Sequence, residues 1–255
     1  MRNVAQVADA IVKWISERAD EARVTGLIVA VSGGLDSAVA AGLSARARPG
    51  RTYGAILPCD TTQGEEERAE AVIQHFGLHR IYHPLEAPFE SLCAGLPDAS
   101  RMARANLKAR LRMATVYLYG NHHNLLVVGT GNKSEDDIGY MTKYGDSGVD
   151  ICPLSMLYKS EVSQIASHLG VPQEVIEATP TAGLWPGQTD EEELGITYAK
   201  IELILRKLDG EDVGERIAET GITQDDIERI AARKRTHRHK VRYPPIFEAR
   251  AIIEQ

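Results

Sequence analysis

Cysteine is scarce: Cys59, Cys93 and Cys152 are scattered over 255 positions. An odd number at such separations argues against a disulfide framework or a paired-cysteine zinc cage and for a reducing compartment, so the cytoplasm is the expected location. Long hydrophobic runs are missing too, which removes a membrane span and leaves no membrane partner to expect. The stretch VAQVADAIVKWISERAD instead spaces Val4, Val7, Ile11 and Ile15 three and four apart among charges, an amphipathic helix and not a signal peptide. Positive charge is in the minority: 29 Lys and Arg against 36 Asp and Glu give a net −7, which argues against a general nucleic-acid binder. One run, RKRTHRHKVR at 233–242, cuts across that balance and reads either as a phosphate patch or as a solvated helix end.

Short β-rich runs punctuate the first half: GLIVAV (26–31), TYGAIL (52–57), RIYHPL (80–85) and NLLVVG (124–129), each followed by helical periodicity. This alternation predicts an α/β fold, a Rossmann-like parallel sheet with helices on both faces, as a single domain over 1–255. Beyond residue 155 the apolar spacing is helical, interrupted by ATPTAGLWPGQTDEEELG at 178–195. A loop of that length in a compact domain is usually functional or mobile, and its glycines and acidic run suit a lid.

The turn SGGLDS, Ser32 to Ser37, sits between the first strand and a helix. Amides, glycines and a helix N-terminus at the carboxyl end of a parallel strand form an anion site, and Asp36 offers a carboxylate for Mg²⁺ beside phosphate. A Walker A loop is excluded, because no lysine follows where G-x-x-x-x-G-K-[ST] requires one. The bland reading is a tight turn with Asp36 as helix cap. A second turn, GTGNKSE at 129–135, fails the dinucleotide fingerprint at Ser134 and so disfavours a dehydrogenase. Thr130 and Glu135 within it lie at another strand's carboxyl end, where Glu135 would share a cation with Asp36. His75 and His79 have metal-ligand spacing, but Gly77 lies between them and no acid completes a site; His122 and His123 read as a turn before a strand.

SGGLDS resembles the pyrophosphate loop of the N-type ATP pyrophosphatases. Together with NLKARLRM, GTGNKSE, GYMTKYGDSGVD, LYKSEV, PTAGLWPGQTDEEELG and the HK of HRHKVRYPP, in that order, the chain resembles the ammonia-dependent NAD synthetases over nearly its whole length. It departs from them at Ser147, where glycine is expected, and in LPCDTTQGEEE around Gln63. The resemblance implies an adenine nucleotide alpha-hydrolase-like fold and a two-step reaction. The carboxylate of deamido-NAD attacks the α-phosphorus of ATP, and ammonia then displaces AMP from the acyl adenylate to give NAD. It further implies that Ser32, Gly33, Gly34, Leu35, Asp36, Ser37, Thr130, Lys159 and Thr181 bind ATP, that Asp36 and Glu135 hold Mg²⁺, and that Arg110, Lys143, Asp150, His239 and Lys240 bind deamido-NAD. Catalysis would fall to Asp36, Lys159 and Asp146.

The predicted helix over 104–119 puts Leu107, Leu111, Ala114 and Leu118 on one stripe, expected in the core or at an interface, with Asn106 and Arg110 on one flank and Lys108 and Arg112 on the other. In the family this helix lies at a homodimer seam, which gives Arg110 a ligand role. The basic run is thereby accounted for at Lys240 alone, and 233–238 are expected to be a solvated helix end. Free ammonia is the expected nitrogen donor, since the synthetase motifs fill 32–240 and no cysteine has the local partners of an amidase nucleophile. A tRNA-thiolating relative would need a reactive cysteine near the turn, for which Cys59 is the candidate.

Overall fold

The computed structural model describes residues 1, 3–185 and 187–247. In chain order these form α1 (Val4–Glu21), β1 (Gly26–Ala30), α2 (Leu35–Ala47), β2 (Thr52–Ile56), α3 (Gln63–Phe76), β3 (His79–Tyr82), α4 (Glu86–Cys93), α5 (Arg101–His123), β4 (Leu125–Val128) and α6 (Lys133–Ile138). The second half is helical: α7 (Lys159–Leu169), α8 (Gln173–Ile176), α9 (Asp190–Leu194), α10 (Tyr198–Leu208), α11 (Gly214–Glu219), α12 (Gln224–Thr236) and a 3-10 turn, Arg238–Lys240. All four expected strands are present and pair in parallel in the order β3-β2-β1-β4. Among the described residues no helix is long and apolar enough to cross a membrane.

Alternation along β1 divides the core. Leu27, Val29 and Val31 point to the side covered by α1, α2 and α7, whereas Ile28 joins Phe89, Val116 and Val127 on the side of α4 and α5. Helix α2 is buried almost all round, and its small residues permit that: a Cβ on Gly42 would stand 2.7 Å from the Phe76 ring. A third core joins Ile138 of α6 to Ile201, Ile204 and Leu205 of α10 and Ile230 of α12, so the late helices fix the segment that follows β4. Beyond β4 the sheet is closed by a bridge from Val128 to Ile151. There Asp150 accepts the Val127 N–H through Oδ2 at 2.8 Å and the Tyr117 hydroxyl through Oδ1 at 2.9 Å.

Several boundaries differ from the sequence expectation. Helix α5 extends past 104–119 at both ends and takes in His122 and His123, because Ser100 caps its start and Asn124, at φ 54°, ends it. His75 and His79 fall in different elements, α3 and β3, with Gly77 left-handed between them. Residues 190–194, expected within the loop, form α9, capped by Thr189 and ended by Gly195.

Candidate active site

The turn after β1 is held open by glycine geometry. Gly33 has φ +82°, and a Cβ there would lie 2.3 Å from Glu65 O, so the first turn of α3 packs directly on it. Ser37 Oγ donates to Gly34 O at 2.9 Å and meets Ser32 Oγ at 3.1 Å, which fixes the path of the backbone. The first amides of α2, a 13-residue helix, therefore face the carboxyl end of β1, where an anion is stabilised. Arg68 on α3 donates from Nε to Gly33 O at 3.1 Å and braces the turn from outside.

Beside it three elements converge. Lys159, the first residue of α7, places Nζ against Asp36 Oδ2 in the first turn of α2 and 3.1 Å from Glu135 Oε1 of α6. Asn132 caps α6 by accepting Glu135 N–H at 3.1 Å and turns its amide to Asp36 Oδ1 at 3.2 Å. Tyr198 donates to Asp190 Oδ2 at 3.0 Å and stands 3.3 Å from Glu135 Oε1. Burial pushes the Glu135 carboxyl upward, Asp36 and Asp190 add to the rise, and Lys159 opposes it. Asp190 is likewise raised by burial. Burial works against the Lys159 charge, but the Asp36 and Glu135 carboxylates outweigh it and hold the lysine protonated. Three acids thus crowd one ammonium, and the crowding is relieved by a proton on Glu135 or by a further cation.

Asp36 and Glu135 flank one cationic atom already, the arrangement a divalent ion would use. Among the described residues no cluster of three or more metal-binding side chains forms a ready cage. Two carboxylates are the share of a Mg²⁺ shell that protein commonly supplies, with substrate phosphate and water completing it.

The family model for NAD synthase matches residues 7–244. The chain belongs to the NAD synthase family. An NH(3)-dependent NAD(+) synthetase of Carboxydothermus hydrogenoformans is 40% identical over 249 residues, covering 96% of this chain and 98% of the relative. Among solved structures, an NMN synthetase from Francisella tularensis has TM-score 0.86 at 31% identity, covering 96% of this chain and 98% of that one. An NH3-dependent NAD synthetase from Campylobacter jejuni has TM-score 0.81 at 25% identity, covering 96% and 99%. The reaction of the NAD synthase family is ATP-dependent amidation of deamido-NAD, and this chain is an enzyme of that type.

Within this NAD synthase fold the remaining sequence-derived residues divide. Thr130 is half-buried at the carboxyl end of β4, and exposed Thr181 accepts Gly183 N–H at 3.1 Å in the loop before α9. Arg110 is exposed and donates to Lys143 O at 3.2 Å; Lys143 stacks over Tyr144. Lys240 donates to Gly139 O at 2.7 Å and Met141 O at 2.9 Å, while His239 is exposed on the same 3-10 turn. Asp150 turns one oxygen to the β4 edge and the other to the Tyr117 hydroxyl on α5. Asp146 is open to solvent yet walled by protein, and burial raises its carboxyl against the pull of Lys240 and Arg112. It accepts Thr142 N–H at 2.8 Å. Ser147 needs no left-handed backbone and adds bonds of its own, donating to Thr142 O at 3.0 Å and accepting Tyr144 N–H at 3.2 Å.

The stripe on α5, expected in the core or at an interface, divides: Leu107 and Leu111 pack partly buried against the core, Leu118 is 62% exposed, and the buried positions of the helix are Ala105, Lys108, Ala109, Thr115, Val116 and Gly120. One expectation needs correction: residues 233–238 are not wholly a solvated helix end, since Lys234 pairs with Asp137 and Asp209 and Arg233 donates to Ile138 O. Sequence reasoning also missed Arg68, Asp190 and Tyr198 as site residues, Lys108 as a buried residue and Arg112 as a half-buried one. The signal for the last two was their four-residue spacing beside the apolar flank. Cys59 is fully buried, and burial raises its thiol, the opposite of an activated nucleophile, so a thiolating reading loses its candidate.

Proposed function

We propose that the cleft at the carboxyl ends of β1 and β4 amidates deamido-NAD with free ammonia. The observation that carries this is Lys159 joined to both Asp36 and Glu135 beside the glycine turn. Ser32 to Ser37 and the α2 amides cradle the departing pyrophosphate, Thr130 and Thr181 hold the rest of ATP, and Lys159 supplies positive charge at the phosphorus under attack. Magnesium, held by Asp36 and Glu135 with phosphate oxygens, would neutralise the triphosphate. Arg110, Lys143, Asp150, His239 and Lys240 place the deamido-NAD carboxylate in line. After adenylation, ammonia attacks the acyl carbon, AMP leaves, and Asp146 takes the proton shed by nitrogen.

The chain acts as one synthetase domain in the cytoplasm and pairs with a second copy through α5. Its exposed Leu118, with Leu107 and Leu111 only partly covered, supports that seam.

The deciding assay is NAD formation from deamido-NAD, ATP, Mg²⁺ and ammonium chloride. Ammonia-free glutamine should not substitute, and at limiting ammonium the rate should rise with pH between about 7 and 8.5 as free ammonia increases. Because one structural relative is an NMN synthetase, nicotinate mononucleotide is the comparison substrate. Faster turnover of the mononucleotide would replace this reading.

A further inference from the structure

Two covers reach over the cleft, and both are fastened to one helix. They are the segment after β2, residues 57–62, and the loop between α8 and α9, described at residues 177–185 and 187–189. Arg112 donates from Nε to Leu57 O at 3.2 Å, and from Nη2 to Cys59 O at 3.3 Å, Thr61 Oγ1 at 3.4 Å and Gly183 O at 3.5 Å. Lys108, one helical turn earlier, bonds Asp60 Oδ2 at 2.5 Å and Leu184 O at 2.7 Å. The Arg101 guanidinium lies 4.6 Å from the centroid of the Trp185 ring. Consecutive loop residues 183, 184 and 185 are therefore each held by a cation of α5, met in reverse order along the helix.

The Lys108 side chain is only 5% exposed, whereas its partner Asp60 is 52% exposed. A buried ammonium needs its hydrogen bonds satisfied, and here one partner comes from each cover. If a single cover withdraws, the charge stays partly enclosed with half its partners. If both withdraw, it returns to water. The covers are thus favoured together or apart. The second cover also approaches α3: a Cβ on Gly183 would lie 3.1 Å from Glu65 Oε1, and Glu65 belongs to the α3 turn that packs on Gly33.

We propose that Lys108 and Arg112, supported by Arg101, are positioning residues that make closure of the two covers concerted and so keep water from the acyl adenylate until ammonia arrives. The proposal rests on the deamido-NAD reading above. In an early-opened site, water adds to the acyl carbon and the bond from that carbon to the phosphate oxygen breaks. Deamido-NAD carboxylate and AMP are released with a proton. Each such event uses one ATP and makes no NAD.

The test counts AMP and NAD in the same reaction at saturating ammonium, for the wild type, Lys108→Met, Lys108→Arg and Asp60→Asn, with melting temperatures recorded in parallel. The wild type should give about one AMP per NAD. Lys108→Met should give several AMP per NAD, Asp60→Asn a smaller excess, and Lys108→Arg a ratio close to wild type. Asp60 lies on the surface, so Asp60→Asn decides the matter if Lys108→Met does not fold. One-to-one stoichiometry in the folded variants, at any rate of turnover, overturns the clamp. A wild type that makes AMP without dependence on deamido-NAD overturns the reaction instead.

Discussion

The side of the cleft proposed to take ATP and the side proposed to take deamido-NAD are built differently. On the first, Asp36, Asn132, Glu135, Lys159, Asp190 and Tyr198 come from five elements or their caps and already bond one another. On the second, Arg110 and Lys240 reach only main-chain carbonyls, and Arg110 and His239 face solvent. Preorganised charge lowers a barrier without rearrangement, which phosphoryl chemistry demands. Cations resting on carbonyls are easily redirected to a substrate, so this half is completed by what binds there.

The largest effects should therefore come from breaking the nucleotide side. Asp36→Asn and Glu135→Gln are each expected to lower kcat by about 100- to 1,000-fold with little change in melting temperature. Pyrophosphate release should fall in step with NAD formation, and near-normal turnover in Asp36→Asn would reduce that residue to a structural partner of Lys159 and Asn132. An intermediate effect belongs to the other side: Arg110→Ala should raise KM for deamido-NAD by roughly tenfold and leave KM for ATP unchanged. On the same helix Leu118→Asp should weaken self-association in sedimentation without unfolding the chain, because Leu118 is exposed.

The smallest effect sharpens how the nucleotide side is anchored. Lys133 and Lys234 each pair with both Asp137 and Asp209, tying α6 to the ends of α10 and α12. Burial works against the Asp209 carboxylate, but the two lysines outweigh it and draw its pKa down to about 2. Since that lies below the unfolded value of about 3.9, the stabilisation is present above roughly pH 4 and is lost as pH falls through 2, and amounts to about 2 kcal/mol at most. Urea midpoints of the wild type and Asp209→Asn should differ at pH 5 and converge near pH 2.

Much of this was legible in the sequence because its determinants are local. The runs at 26–31 and 52–57 are apolar, strand-length and followed by helical spacing, and Ser32 to Ser37 carries its own turn chemistry. What stayed hidden depends on which face turns inward. Periodicity finds the Leu107–Leu118 stripe but cannot tell that Ala105, Lys108 and Ala109 are the residues sealed under the loops; a lysine is read as outward-facing until its partners are known. Asp190 and Tyr198 reach Glu135 only through the packing of α10 on α6, a relation between segments far apart in the chain. The lysines and acids that bind α6 to α12 are invisible for the same reason.

The cover on β4 has a consequence for how the protein behaves at high concentration. Exposed strand edges are templates for ladder growth between molecules, the route to fibrils. Here Ile151 and the Asp150 carboxylate occupy main-chain groups at one margin of the sheet. The opposite margin, β3, is four residues long and carries Arg80, paired with Glu70 at 2.7 Å. Neither margin offers a long, apolar, unpaired strand, so polymerisation through the sheet is blocked at both ends, and orderly assembly is left to helical surfaces.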